Sequence, residues 1–458
     1  MSFKVCYSDP TITAKAGFGK VAHVPFILDN RPGYHRLASR YLIDRGLGTW
    51  NPETRGKGPR ATRPSKKTIK NYAYWLANFL EWAEVRGIDI KTCEYAEHVQ
   101  GRYQTEMTQG LWSAEGRGLQ ATTVNPRVQQ ACDFLTWMSD KGEREPFDIP
   151  TEKVKVRVGS ATSAIGHRAK EVTRRIGKAR QNKRRLRMPT EAELATWLMS
   201  VKAKHGELMG LICETILLTG LRIEEASALR VDTLPEDPRR WHLSNADAPK
   251  SEQQVLVDIR YGAKGPDYGE DHGDKIGPER SILMPLALAE KLHAYRQRLR
   301  NPALKKWVSG AANAQERKER IAGAVHLFLH EGTGKRITAD NIYRAWKKAE
   351  LPFDGWSPHL GRDWWACSTL LREIERHERL KELGPAVATQ LLESVGMTVI
   401  RMRIQPQLGH KSETTSLIYL QWVSDRLGVA LSIDYDAAFE ADGTSGGEAT
   451  GGLPHPEA

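Results

Sequence analysis

Between Lys153 and Arg187 the chain turns abruptly basic, as in RRIGKARQNKRRLR from Arg174, with acidic residues only at its edge (Glu152) and at Glu171. A run of that charge stays solvated rather than entering a core, so it reads as a connector between a body before it and a body after it. The length agrees: 458 residues are more than one core organises, and two or three domains are expected. The hydrophobic pattern on both sides is mostly helical. The expected fold class is therefore mainly α with a small β-hairpin or sheet element.

The boundaries follow from composition. Residues 1–64 read as an N-terminal extension ending in the Gly/Pro-containing basic stretch RGKGPRATRP. Residues 65–145 read as a small all-helical domain. In its first helix Ile69, Tyr72, Leu76 and Phe79 recur at helical spacing, with Ser65 as cap and Gly87 as stop. A second helix is expected over about Glu94–Thr108, and a third carries Val124, Val128, Ala131, Leu135 and Met138 and stops near Gly142. Residues 146–187 are the connector. A second large domain, 188–440, opens at Thr190, whose spacing to Glu193 is that of a capping box. Within it, strand-like runs at Val255–Tyr261 and Ser281–Met284 flank a Gly-, Asp- and Lys-rich loop and predict an extended hairpin. The Gly-, Glu- and Pro-rich residues 441–458 are expected to be disordered.

Lys plus Arg exceed Asp plus Glu by 68 to 56, a formal charge of +12, which favours a polyanionic partner. Lys66, Lys67 and Lys70 at the head of the first helix are candidates for phosphate contact, a merely solvated face being the equal alternative. Arg174, Arg175, Lys183, Arg184 and Arg185 of the connector are read as lying against a DNA backbone. No apolar run is long enough to span a bilayer, and MSFKVCYSDP lacks the apolar region of a signal peptide, so a cytoplasmic location is expected. Five scattered cysteines without a CxxC pair argue against a zinc ribbon or a disulfide framework.

The second large domain carries the chemistry. Arg222 follows a helix end, His359 and Arg362 stand in HLGR, and LGH ends at His410, nine positions before Tyr419. Breaking a phosphodiester without a metal requires positive charge on the nonbridging oxygens, a nucleophile, and an acid for the leaving oxygen, which Arg, Tyr and Lys or His supply. Two look-alikes are set aside. His326 and His330 share i,i+4 spacing, but VHLFLH reads as a strand, so they are not a metal pair. Gly332-Thr333-Gly334-Lys335 lacks the full phosphate-loop pattern, with Arg336 where a hydroxyl is needed. Trp75, Trp82 and Trp137, spaced within helices, read as packing residues rather than base-stacking platforms.

Taken together, TGLRIEEASALR, HLGR and LGHKSETTSLIYL resemble, in order and spacing, the boxes of the tyrosine recombinase (phage integrase) family. The resemblance implies that residues 65–145 are a core-binding domain and 188–440 a mostly helical catalytic domain closing on DNA. It implies that Arg222 and Arg362 clamp the scissile phosphate, that His359 and His410 bond the phosphate or assist proton transfer, and that Glu225 holds the arginine site. Two guanidinium forks suit the task, each donating paired hydrogen bonds to phosphate. They also supply the positive charge that a phenol needs to act as a nucleophile at neutral pH. Lys264, in Tyr261-Gly262-Ala263-Lys264-Gly265, is the counterpart of the family's hairpin lysine, with Lys275 in reserve. The resemblance makes Tyr419 the nucleophile of a 3′-phosphotyrosyl intermediate, and Trp422, just after it, is placed to steady its helix.

Neither metal nor cofactor is implied, and no ATP is needed because bond energy is conserved in the exchange. The implied partner is double-stranded DNA with inverted core sites, bound by a homo-tetramer whose segment Leu427–Phe439 docks on a neighbour, with a partner recombinase or DNA-bending factor as possible accessories. A bacterial mobile element, and hence transposition or integration, is the expected setting. The Arg362 to His410 spacing exceeds the family's, so Arg372–Met397 is expected to decorate the catalytic domain. Two other readings stay open: a non-catalytic DNA-binding regulator, and a type IB topoisomerase or telomere-resolving enzyme.

Overall fold

The computed structural model describes residues 3–30, 33–52, 63–158, 168–180, 185–262, 274–376, 385–410 and 414–429. The chain divides into two compact units, one of residues 1–156 and 169–183, the other of 157–168 and 184–458. It is mainly helical with small sheets, as the periodicity predicts.

The first unit begins with strand β1 (Lys4–Cys6), helix α1 (Pro10–Lys15), strands β2 (Phe26–Asp29) and β3 (Gly33–Tyr34), and helix α2 (Arg36–Leu47). The three strands form an antiparallel sheet in the order β1-β2-β3. There follow α3 (Lys66–Val85), a wide π-type helix over Tyr95–Gln104, α4 (Thr105–Gln109) and α5 (Ala121–Asp140). Ser65 caps α3 by accepting from the Thr68 N–H at 3.2 Å, and Gly87 closes it in the left-handed region at φ 65°. The α3 face of Ile69, Ala73, Leu76, Leu80 and Ala83 and the α5 face of Val124, Val128, Ala131, Leu135 and Met138 are buried together.

Residues 24–30 and 33–50, read from sequence as part of an extension, contribute to this same core. Val24, Ile27, Ala38, Tyr41, Leu42 and Trp50 are all buried there. Tyr41 meets Phe134 and Trp137 edge-on, while the indole N–H of Trp137 donates to Asp44 and that of Trp50 to Asp140, each at 2.9 Å. Ala38, Tyr41 and Leu42 stand at i, i+3 and i+4, the spacing of one helix face. Trp82 and Trp137 are fully buried packing residues, as expected.

The connector is more than a solvated linker. Strands β4 (Thr151–Val158) and β5 (Arg168–Arg175) pair in a two-stranded sheet. The chain after them is tied into the first unit: Tyr95 donates to the Ile176 carbonyl, Gln104 to that of Gly177, and Asn125 exchanges hydrogen bonds with Ala179.

The second unit comprises α6 (Glu191–His205), α7 (Glu207–Thr219), α8 (Ile223–Ser227), strands β6 (Gln254–Tyr261) and β7 (Ile276–Pro285), and helices α9 (Leu286–Tyr295), α10 (Asn301–Ser309), α11 (Ala314–Gly323), α12 (Ala339–Lys348), α13 (Pro358–Glu375), α14 (Pro385–Val399), α15 (Gln405–Leu408) and α16 (Thr414–Leu427). Thr190 and Glu193 make the expected capping box at α6. The β6 and β7 strands pair antiparallel, Val255 opposite Met284 and Ile259 opposite Arg280, with an irregularity before Tyr261. One core gathers α6, α7, the hairpin, α9 and α12 around Trp197, Trp346 and Trp356. Another gathers α13, α14 and α16 around Leu370, Leu392, Ile400, Leu420 and Val423.

The stretch Arg372–Met397 therefore does more than decorate. Ala388, Leu392 and Met397 are buried in the same cluster as Leu417, Tyr419 and Leu420 of α16, and a Cβ on Gly396 would stand 2.5 Å from the Leu420 side chain. Its apolar spacing closes a core, which an outward decoration would not do. Residues 377–384 lie outside the described residues, as do the tail 441–458 and most of the proposed docking segment Leu427–Phe439.

Candidate active site

The site is assembled where α7, α15, α13, β7 and α16 meet. Helix α7 ends at Gly220 in the left-handed region, and a Cβ there would meet the side chains of Leu408 and Trp365. This close approach brings the start of α8 beside α13 and α15. At that start, Glu225 folds back on Arg222, accepting from its backbone N–H and from its Nη1, each at 2.8 Å. Arg280 of β7 adds a two-pronged pair, both prongs at 2.7 Å. Glu225 is fully buried. Burial by itself would raise its carboxyl, but Arg280, then Arg362 and Arg222, hold it down to about 2. Glu225 is thus a permanent anion splinting two arginines, and Arg222 keeps a quarter of its side chain exposed.

Arg362 is 2% exposed and donates to the carbonyls of Gly220 and Leu408, the ends of α7 and α15. Helix C-terminal carbonyls favour a cation there. Burial, then the charge of Arg222, lowers its guanidinium to about 10, so it stays charged at neutral pH. Gln407 completes the frame, bonding Thr219 of α7 and both the N–H and carbonyl of Leu283 on β7.

Gly409 is in the left-handed region, where a Cβ would press on Arg280 at 3.1 Å, and it turns the chain into His410. The His410 ring lies 6.3 Å from that of Tyr419, nearly parallel, and its Nδ1 is 2.9 Å from Ser416 Oγ. Burial, then the charges of Arg362 and Arg222, lowers His410 to about 3, so its imidazole is neutral at physiological pH. A neutral ring both donates and accepts.

Tyr419 is 2% exposed, and its hydroxyl donates to Asp363 Oδ1 at 2.9 Å. The reading that the arginines' charge lowers this phenol needs correcting. Burial and the Asp363 carboxylate raise it well above its ordinary value, and the opposing charge of Arg362 does not offset them. In this arrangement the phenol is protonated. Asp363 is itself buried, and its other oxygen stands 3.9 Å from His359 Nε2, whose side chain is 54% exposed at the head of α13.

Arg222, Glu225, Arg362, His410 and Tyr419 thus converge in one unit, with His359 linked to them through Asp363. Lys264 lies outside the described residues, and Lys275 stands just before β7, its carbonyl accepting from the Gly262 N–H at 2.8 Å. Sequence reasoning missed Arg280, Gln407 and Asp363. Asp363 was the most accessible of these, being the residue directly after Arg362, whereas Arg280 gains meaning only from the hairpin register.

The basic residues fall in several settings. Lys66, Lys67 and Lys70 are exposed on the first turns of α3. Arg174 pairs with Glu152 at 2.7 Å, Arg185 is exposed, and Lys183 and Arg184 lie outside the described residues. Arg175 must be corrected as a phosphate contact. It is 8% exposed, with its guanidinium bonded to Tyr95 and Gln104 and set over the Tyr95 ring, so its donors serve the interior of the first unit.

No family model and no curated protein sequence matches this chain. Solved structures do align with it. The Tn1549 transposon integrase in complex with circular intermediate DNA is 14% identical, with 89% of this chain and 98% of that one covered and a TM-score of 0.44. The XerH site-specific recombinase bound to a palindromic difH substrate is 17% identical, with 85% and 86% covered and a TM-score of 0.43. A lambda integrase dimer bound to a core site is 13% identical, with 85% and 95% covered and a TM-score of 0.42.

Proposed function

We propose that this protein is a site-specific tyrosine recombinase that cuts and rejoins DNA through Tyr419. The observation that carries the reading is the convergence of Arg222, Arg362 and His410 on one buried tyrosine, with Glu225 and Arg280 bracing the first arginine. Arg222 takes the nonbridging oxygens of the scissile phosphate, Arg362 joins it by turning a donor away from the Gly220 or Leu408 carbonyl, and neutral His410 adds a hydrogen bond. The Tyr419 oxygen bonds to phosphorus as the bond from phosphorus to the 5′ oxygen breaks. The phenol's proton passes to water, a hairpin lysine, Lys264 or Lys275, protonates the departing 5′ oxygen, and the free 5′ hydroxyl of a partner strand later attacks the phosphotyrosine, releasing Tyr419 and completing the exchange. One phosphoester replaces another, so no energy source is consumed. Duplex DNA with inverted core sites, a tetramer on paired sites and a mobile-element setting belong to this reading. So do phosphate contacts by Lys66, Lys67, Lys70 and Arg185.

One observation favours a second reading, a DNA-binding regulator without chemistry: the Tyr419 hydroxyl is held inside by Asp363. The test is capture of a covalent complex on a nicked suicide substrate built from DNA flanking the gene, run beside Tyr419→Phe. An adduct lost in the variant supports the recombinase; specific binding with no adduct supports the regulator. Inverted, deleted or joined products from a two-site plasmid would then separate strand exchange from simple relaxation of supercoils.

A further inference from the structure

Away from Tyr419, the second unit holds a buried ion cluster that the reaction as described does not use. Asp274 is 5% exposed and receives the Nε2 of His326 at 2.8 Å and Nη2 of Arg336 at 2.8 Å, with Nη2 of Arg230 at 3.7 Å. These partners come from three separate places: the chain after α8, the short strand-like segment at His326, and the turn before α12. Arg230 and His326 also form a β-bridge, and the Arg230 guanidinium lies 3.4 Å from the centre of the Tyr261 ring. A buried carboxylate is costly to keep, and replacing such clusters with apolar residues often stabilises a protein. Stability alone is therefore a weak reason for it.

Its place in the fold suggests another. Asp274 is the residue before Lys275, where the hairpin returns. On the outgoing side, Gly262 has φ 75°, and a Cβ there would stand 2.4 Å from the Glu224 carbonyl oxygen and 2.7 Å from the Glu225 Cα. The Gly262 N–H bonds the Lys275 carbonyl. Both ends of the hairpin mouth are thus fastened, one against the backbone that carries the Arg222 splint, the other to a carboxylate held from three directions.

We propose that Asp274 is a positioning residue for the leaving-group acid, its cluster with His326, Arg230 and Arg336 fixing the hairpin mouth so that the adjacent Lys275 meets the departing 5′ oxygen. The proposal rests on the recombinase reading. In the step it serves, the bond from phosphorus to the 5′ oxygen breaks as the Tyr419 oxygen bonds to phosphorus, the phenol's proton passes to water, and the 5′ oxygen takes a proton from the Lys275 ammonium. A leaving group that departs readily as an anion does not need this proton.

The test compares single-turnover adduct formation on ordinary DNA and on the same site with sulfur in place of the bridging 5′ oxygen. Asp274→Asn is expected to slow cleavage of ordinary DNA by about tenfold or more, part of the ~10²–10⁴ that general-acid catalysis supplies. On the sulfur-bridged substrate it should recover to within about threefold of wild type, since no acid is then required. Arg336→Gln removes a partly exposed donor, leaves the Asp274–His326 pair intact, and should show the same signature more weakly, including where Asp274→Asn does not fold. Equal losses on both substrates, or no loss on ordinary DNA, overturn the proposal. A wild-type protein that forms no adduct on either substrate overturns the parent reading, and the proposal with it.

Discussion

The bond from Tyr419 to Asp363 makes a quantitative prediction about the proposed nucleophile. A hydrogen bond to a charged acceptor contributes about 1.5–3 kcal/mol, against about 0.5–1.5 kcal/mol for one between neutral groups. In Asp363→Asn the amide oxygen still accepts from the phenol, but the charge is gone, so the resting contact weakens by about 1–1.5 kcal/mol. At 1.36 kcal/mol per tenfold this raises the fraction of released phenol roughly five- to thirteenfold. A second effect acts the same way. The carboxylate raises the pKa of the phenol, and removing it lowers that pKa, so the rise of cleavage rate with pH should move to lower pH. The assay is single-turnover covalent capture on a suicide substrate across pH, with binding measured separately. If Asp363→Asn instead cleaves more than about a hundredfold slower with binding intact, the carboxylate is acting as proton acceptor or nucleophile guide, and the reasoning that it restrains Tyr419 is wrong.

Other consequences follow from the buried groups. Glu225→Gln leaves Arg222 and Arg280 without their anion and should destabilise the second unit by about 3–5 kcal/mol, read by denaturant unfolding; a change below ~1 kcal/mol would show that the splint is dispensable. His410 has a folded pKa near 3, below its ordinary value of about 6.5, so its contribution to stability is complete above ~6.5 and is lost as pH falls toward 3. His410→Gln should accordingly lose less stability than wild type between pH 7 and pH 5, both pH values being approximate, by the same unfolding assay. In the first unit Tyr41→Ala should cost about 3–5 kcal/mol, as for other large aromatic truncations in cores. An unfolding midpoint unchanged by Tyr41→Ala would show that residues 36–47 are an independent arm.

Much of this was legible in the chain itself. The helical class, the capping box at Thr190, the α3 face and the strand pairing of Val255–Tyr261 all rest on local rules: side-chain period, cap chemistry and turn residues. The boxes around Arg222, Arg362, His410 and Tyr419 were visible because each is a short contiguous motif in a set order. What escaped was non-local. Arg280 and Gln407 look like ordinary polar residues until strand register and a left-handed glycine bring them against Glu225 and Leu283. Arg175 sits in a run of cations that composition marks as solvated, and only the packing of Tyr95 and Gln104 draws it inside. Ala38, Tyr41 and Leu42 have the spacing of a helix face, but which surface that face meets, and so the membership of Tyr41 and Trp50 in this core, is set by their partners Phe134, Trp137 and Asp140 on α5.

The state of the Tyr419 phenol divides the same way. The sequence names Tyr419 and places two arginines with it, which by themselves would lower its pKa. Whether the phenol is ionised depends on how deeply it is buried and which charge lies nearest, and those are properties of three-dimensional packing. Here a carboxylate one residue beyond Arg362 receives the hydroxyl, so desolvation and Asp363 together outweigh the arginine. The sequence determined which chemical groups were available; the tertiary structure decided which of them touch, because electrostatic free energy depends on distance and solvent exposure rather than on order along the chain.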